Sequence, residues 1–225
     1  MVDVTHQELV RRLLTIEVSA LSDADKTLPV VAPEIRAMVP EIRMAGPAFT
    51  VVAEDDHLPV FSALAEAAPG DVLVIATNGH ALAVLGELFA TEARRRGLAG
   101  VVIDGYCRDV AGLRRVGLPV FARGTNPKSG STVSRAPLGT TVRCGGVEVI
   151  PGSMVFGDDD GVVIVPVERM AAALGAAEAI GHAERTLLDA MASGRSLHEQ
   201  TNWSDHVTAL DAGRSSALEF RTDSD

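Results

Sequence analysis

The feature that most constrains this chain is a rhythm in its centre. Asp71-Val72-Leu73-Val74-Ile75-Ala76, Gly100-Val101-Val102-Ile103 and Pro119-Val120-Phe121-Ala122 are continuous apolar runs bounded by turn residues. Continuous rather than alternating apolarity means burial on both faces, the condition of a strand inside a parallel sheet. The stretches between the runs, 81–96 and 108–116, each have room for one helix. Strand, helix, strand, helix, strand with short links gives parallel neighbours and right-handed crossovers. A βαβαβ centre is therefore predicted, with Gly97 as the left-handed cap of its first helix.

The flanks read differently. Leu9, Val10, Leu13, Leu14, Ile16 and Val18 lie at helical spacing and predict one helix over 5–21, then a polar turn over 22–25. Residues 29–45 carry three prolines and read as an irregular connector. Gly46-Pro47 introduces a strand over 48–53, and a short helix over 59–68 stops at Pro69-Gly70. After Arg123 comes a polar loop over 124–132. Short β segments without helices follow at 140–144, 146–150, 154–156 and 162–165, with a hairpin around Gly145-Gly146. Asp158-Asp159-Asp160-Gly161 reads as a solvated turn, because an EF-hand needs alternating ligands over a longer loop. An Ala-rich helix spans 167–191, and a polar tail with room for one short helix closes the chain. The sum is one α/β domain over 1–225, its core about 20–190, with an N-terminal helix and a polar C-terminal tail as extensions.

Composition removes several functions. A formal net charge of −10 repels phosphate backbones, so nucleic acid is not expected as a partner. Only 4% of residues are aromatic, too few for a base-stacking platform. Two cysteines, Cys107 and Cys144, make no disulfide framework and no zinc spacing, which fits a reducing cytoplasm. The charged start MVDVTHQELVRRLL does not read as a signal peptide, and no apolar run is long enough for a bilayer, so no membrane role is expected. Lys26 and Lys128 are the sole lysines, which limits any Schiff-base route to two candidates. GxSxG, P-loop, GxGxxG and HExxH patterns are all absent.

In parallel α/β units ligands bind beyond the carboxyl ends of the strands. Two loops qualify here, one after strand 71–76 and one holding Asp104-Gly105-Tyr106-Cys107-Arg108-Asp109. An arginine at a helix start can grip a carboxylate bidentately, and an aspartate can bind a hard cation whose shell water completes. The structural alternative is that Asp109 serves the helix dipole and cap, and spacing alone favours it. Gly86 is costly inside a helix and can instead mark where the helix over 81–96 really begins. The amides of residues 86–89 would then be free donors for a small carboxylate, with Glu87 beside them. The alternative is close packing by Gly86 and a solvated Glu87. His80 and Lys128 are weaker candidates for contact with a ligand.

These residues also carry a resemblance. Gly46-Pro47-Ala48-Phe49-Thr50-Val51, Pro69-Gly70-Asp71-Val72-Leu73-Val74, GELFATEARRRGLAGVVIDGYCRDV over 86–110, GLPVFARG over 117–124 and GDDDGVVIVP over 157–166 resemble the RraA-like family. The likeness covers roughly residues 20–190. That family includes 4-hydroxy-4-methyl-2-oxoglutarate aldolases with oxaloacetate decarboxylase activity. The resemblance implies a swivelling β/β/α sandwich, a homotrimer or hexamer with clefts between subunits, and a divalent cation, Mg or Mn. It makes Asp109 the metal-binding aspartate and Arg108 the grip on the 2-oxo acid. Gly86, Glu87, Leu88 and Phe89 become the segment that takes the pyruvoyl carboxylate, with Glu87 acidic near the cation. The expected reaction cleaves a 4-hydroxy-2-oxo acid to pyruvate and a second oxo acid, and also decarboxylates oxaloacetate. The family also holds non-catalytic regulators that bind a ribonuclease. Asp109 favours the enzyme, since in the regulator type that position cannot carry the charge. Leu85 departs from the bulky aromatic many members place before the glycine. Glu184 and Glu199 are candidates for an acidic residue contributed across a subunit boundary.

Overall fold

The computed structural model describes residues 6–221. Two helices, α1 (His6–Leu13) and α2 (Val18–Ala24), stand where apolar spacing predicted one over 5–21; residue 5 lies outside the described residues. The break has a cause that local periodicity cannot carry. The amide of Val18 donates to Oδ2 of the buried Asp158 at 2.9 Å, and the Arg43 guanidinium takes the Leu14 carbonyl at 3.1 Å. Distant side chains thus satisfy the polar groups that a continuous helix would have paired internally. The solvated turn expected over 158–161 is there at the exposed Asp159 and Asp160, but Asp158 is the last residue of a strand and only 4% exposed.

The strands are β1 (Arg36–Ala37), β2 (Met44–Val52), β3 (Val72–Ala76), β4 (Ala83–Leu85), β5 (Gly100–Cys107), β6 (Val120–Thr125), β7 (Val142–Cys144), β8 (Val147–Val149), β9 (Met154–Asp158) and β10 (Gly161–Val165). The later helices are α3 (Leu58–Glu66), α4 (Glu87–Arg95), α5 (Val110–Val116), α6 (Val167–Ala192) and α7 (Trp203–Asp211). One eight-stranded sheet runs β1-β6-β5-β3-β2-β9-β10, with β4 added beside the end of β5. The pairs β3–β5 and β5–β6 are parallel, as the central rhythm predicted; β2 joins β3 in parallel as well, whereas β9 and β10 pair antiparallel.

The pleat sorts the central strands onto two cores. Leu73, Ile75, Val101 and Ile103 face α3, α4 and α5. Val72, Val74, Val102 and Phe121 face the β7–β8 hairpin through Val142, Cys144, Val147 and Val149. A third core joins α1, α2 and α6 to β9–β10 through Leu9, Leu13, Leu21, Phe156, Met170 and Leu174. Helices, sheet and hairpin give the expected β/β/α layering. Among the described residues no helix is long and apolar enough to cross a membrane.

Two boundaries differ from the sequence reading, and both shape the site. β5 continues through residues 104–107, expected as a turn. Tyr106 and Cys107 pair with Gly124 and Thr125 of β6 on one side and with Ala83 and Leu85 of β4 on the other. The following helix therefore starts at Val110 and not at Arg108. Likewise residues 83–85 form β4, and α4 begins only at Glu87 with Gly86 as its N-cap.

Candidate active site

β4 and β5 lie side by side, so the segments leaving them meet. The Arg108 amide donates to the Leu85 carbonyl at 2.9 Å, holding the two strand ends together. Gly86 then turns the chain into α4, and Asp109 turns it into α5. Asp109 has φ 59°, the left-handed region that Asp and Asn enter more readily than other side chains. It occupies the N-cap of α5, yet its carboxylate makes no cap bond to that helix. Oδ2 instead accepts the Glu87 amide at 3.2 Å, and Arg108 Nε lies 3.7 Å from the same oxygen.

Gly86 is required by this approach. A Cβ there would stand 2.5 Å from Asp109 Oδ2 and 3.1 Å from Arg108 Cγ. As N-cap it offers no side chain to the first turn, so the amides of Leu88 and Phe89 have no acceptor within α4. The partial positive charge of the helix start adds to theirs.

A cleft of about 170 Å³ opens over this junction. Ala83, Val84, Leu85, Leu88 and Phe89 form its apolar wall, and Arg108, Asp109, His57 and Ser129 bring the polar groups. The structure thus gathers Gly86, Leu88, Phe89, Arg108 and Asp109 around one cavity. Glu87 is adjacent, but its carboxylate turns to α5. Arg115 Nη2 donates to its two oxygens at 3.0 and 3.3 Å, and the group lies over Gly112.

Other candidates fall outside the cleft lining. The His80 ring is bonded to Asp55 at 2.8 Å, and that partner raises its pKa. Lys128 contributes to this region through its carbonyl, which accepts the Ala83 amide at 2.8 Å. Glu184 is exposed on α6, and Glu199 accepts the Ser196 amide at 2.7 Å. Cys107, the last residue of β5, is buried, and burial pushes its thiol up to about 11, so it supplies no thiolate near neutrality.

His57 is the cleft residue that sequence reasoning missed. It immediately precedes α3, and the fold carries that helix start across to α4. Its ring meets Phe89 edge-on at 5.6 Å. Its neighbour Asp56 is a buried anchor, accepting from the Leu58, Val133 and Ser134 amides and the Ser131 hydroxyl at 2.5–2.9 Å. Those bonds tie the loop carrying Ser129 to the start of α3. An Asp-His pair directly before an apolar helix was the only local signal, and nothing in the sequence indicated what it would face.

A cation fits the donor set. Among the described residues no group of three or more His, Cys, Asp or Glu side chains is gathered for a metal. One carboxylate with water and substrate oxygens is nonetheless an ordinary set for Mg. Among the described residues none donates a hydrogen bond to Oδ1 of Asp109, and the side chain is 46% exposed.

Comparison with known proteins identifies one family. Residues 18–164 match the family model described as RraA-like, Aldolase/RraA. A protein of Halalkalibacterium halodurans named "Putative 4-hydroxy-4-methyl-2-oxoglutarate aldolase" is 34% identical over 161 residues, covering 71% of this chain and 77% of that one. A crystal structure of an uncharacterized protein from Pseudomonas syringae pv. tomato superposes with a TM-score of 0.75 at 27% identity, over 86% of this chain and 92% of that one. The RNA-processing inhibitor RraA from Thermus thermophilis superposes at 0.62 with 30% identity, over 67% of this chain and 92% of its own.

Proposed function

The chain belongs to the RraA-like family, and from that membership we propose that it is a carbon–carbon lyase dependent on a divalent cation. Its substrate is a 4-hydroxy-2-oxo acid, cleaved to pyruvate and a second oxo compound, and it also decarboxylates oxaloacetate. One observation carries this reading. Asp109, Arg108 and the first turn of α4, whose Leu88 and Phe89 amides have no acceptor within the helix, meet at a single cleft.

Asp109 would hold Mg or Mn through Oδ1, and the bound cation would polarise the 2-oxo group and stabilise enolate charge. The residues of the chain do the rest. The Leu88 and Phe89 amides receive the carboxylate end of the substrate, and Arg108 clamps it with planar donors. Phe89 and Leu85 press apolar surface against the carbon chain and exclude water. In the cleavage (retro-aldol) direction the C3–C4 bond breaks, its electron pair enters the C2–C3 enolate, the 4-hydroxyl passes its proton to a water as proton acceptor, and the enolate takes a proton from water at C3 to give pyruvate. Decarboxylation needs no such proton acceptor, because carbon dioxide leaves directly, so one cleft serves both. Glu87 serves through its amide, while its carboxylate is tied to Arg115 on α5. Neither lysine lines the cleft, which leaves a Schiff base without a donor.

The reading carries an assembly with it, a homotrimer or hexamer. Phe61 and Leu88 are 59% and 81% exposed near the cleft, an apolar rim suited to cover by another subunit. The test is pyruvate release from 4-hydroxy-4-methyl-2-oxoglutarate and from oxaloacetate, with Mg and with excess EDTA. Release that persists in EDTA removes the cation. No release from either compound removes the lyase. The likeness to an RNA-processing inhibitor supports a second reading, a regulator that binds a ribonuclease. It gains only if turnover is absent and the protein lowers ribonuclease activity in a direct assay.

A further inference from the structure

The cleft contains a polar ring for which the fold has no use. His57 sits at the N-cap of α3 but makes no side-chain cap bond, and the N2 residue, Pro59, has no amide N–H to offer it. Its Nδ1 is buried without a partner. Among the described residues the ring forms no hydrogen bond, while one flank packs edge-on to Phe89. A buried polar atom left unpaired costs stability, so such a group calls for an explanation outside the fold. Its position supplies one. Phe89 belongs to the first turn of α4, where the substrate carboxylate would be held, and the ring that borders Phe89 lines the same cavity. A chain anchored at α4 and lying along Phe89 brings its later carbons to His57 and Ser129.

We propose that His57 is a specificity-determining residue whose unpaired ring accepts a hydrogen bond from the C4 hydroxyl of the substrate, a donor that the C4 carboxylate of oxaloacetate lacks. This rests on the lyase reading and deepens it. The ring distinguishes 4-hydroxy-2-oxo acids from 2-oxo acids without that hydroxyl. It orients the C4 oxygen so that the C3–C4 bond is presented for cleavage. Ser129 borders the same space on a loop pinned through Lys128 and Ser131, so the polar end of the cleft is preformed.

The experiment compares the wild type, His57→Phe, which keeps a ring against Phe89, and His57→Gln, which keeps a hydrogen-bonding end. With excess Mg, kcat/KM for pyruvate release is measured on 4-hydroxy-4-methyl-2-oxoglutarate and on oxaloacetate, which has no C4 hydroxyl. The ratio of the two is the readout. It is unaffected by the fraction of folded enzyme, since both substrates report on the same molecules. The ratio should fall roughly tenfold or more in the Phe variant and recover at least in part in the Gln variant. If the Phe variant does not fold, His57→Leu takes its place. An unchanged ratio, or a fall that the Gln variant fully shares, overturns the role of His57 and leaves the lyase reading standing. A wild type that cleaves only oxaloacetate does the same. Pyruvate from neither compound overturns both.

Discussion

The Glu87 amide donates to Oδ2 of Asp109 at 3.2 Å, so the first turn of α4 fixes the carboxylate that stands ahead of α5. One oxygen of Asp109 is thereby oriented, and the other is the one proposed to take a cation. Asp109→Asn keeps the shape and the left-handed backbone but loses the charge. Pyruvate release should fall at least about a hundredfold, with thermal stability nearly unchanged. Asp109→Ala should lose as much activity and in addition about 1 kcal/mol of stability, because alanine resists φ 59°. Initial rates and urea denaturation separate the two effects. Substantial activity in the Asn variant would falsify the cation site.

Gly86 tests the same geometry from the other side. Its φ of −145° is open to any residue, so alanine brings no backbone strain there. The new methyl would instead meet Asp109 Oδ2 at 2.5 Å and Arg108 Cγ at 3.1 Å. Both functional side chains must move, and misplacement by about 1 Å can cost about a hundredfold in rate. Gly86→Ala should therefore lose kcat far more than stability. A variant with wild-type kcat would show that neither side chain needs its observed place.

Gly112 separates packing from chemistry. A Cβ there would fall 2.4 Å from Glu87 Cδ and 2.8 Å from Glu87 Cβ, so α4 and α5 approach through this glycine. Overpacking of this kind typically costs about 1–3 kcal/mol. The Glu87–Arg115 pair beside it is largely exposed and contributes little. Urea denaturation should show Gly112→Ala clearly destabilised and Arg115→Ala nearly neutral. The opposite order would make the ion pair, and not the close approach, the link between the helices.

The same contrast between local and distant causes decides what the sequence could show. The β3–β5–β6 centre was legible because Leu73, Ile75, Val101 and Ile103 are buried by strands and helices close by in the chain. Gly86 was legible as an alternative helix start, since a glycine so placed is costly in a helix and natural at its beginning. The split between α1 and α2 was not, because its cause, Asp158, lies 140 residues away. Nor was the extension of β5, since Asp104 and Gly105 are poor strand residues held there by β4 and β6. Of the cleft, Gly86 to Phe89, Arg108 and Asp109 could be picked out from one contiguous stretch, although α5 starts two residues later than expected. His57 arrives on a different helix and needed the fold to bring it there.

Asp56 gives the pH dependence. Burial alone would raise its pKa, but the Ser131 hydroxyl and the Val133, Leu58 and Ser134 amides more than offset that and hold the carboxyl well below its ordinary range. A carboxylate depressed in the folded state stabilises fully above its unfolded pKa of about 3.9, and the contribution is lost as pH falls toward the folded value. Asp56→Asn replaces one acceptor oxygen with a donor facing other donors. Near pH 7 it should cost about 2–3 kcal/mol in urea denaturation. Below about pH 4 the gap from the wild type should narrow, because the wild type is then losing its own carboxylate bonds. The loop bearing Ser129 is tied through Ser131 to this carboxylate, so KM for the hydroxy acid should rise alongside. A stability gap that is equal at both pH values would mean that these bonds do not depend on the charge of Asp56.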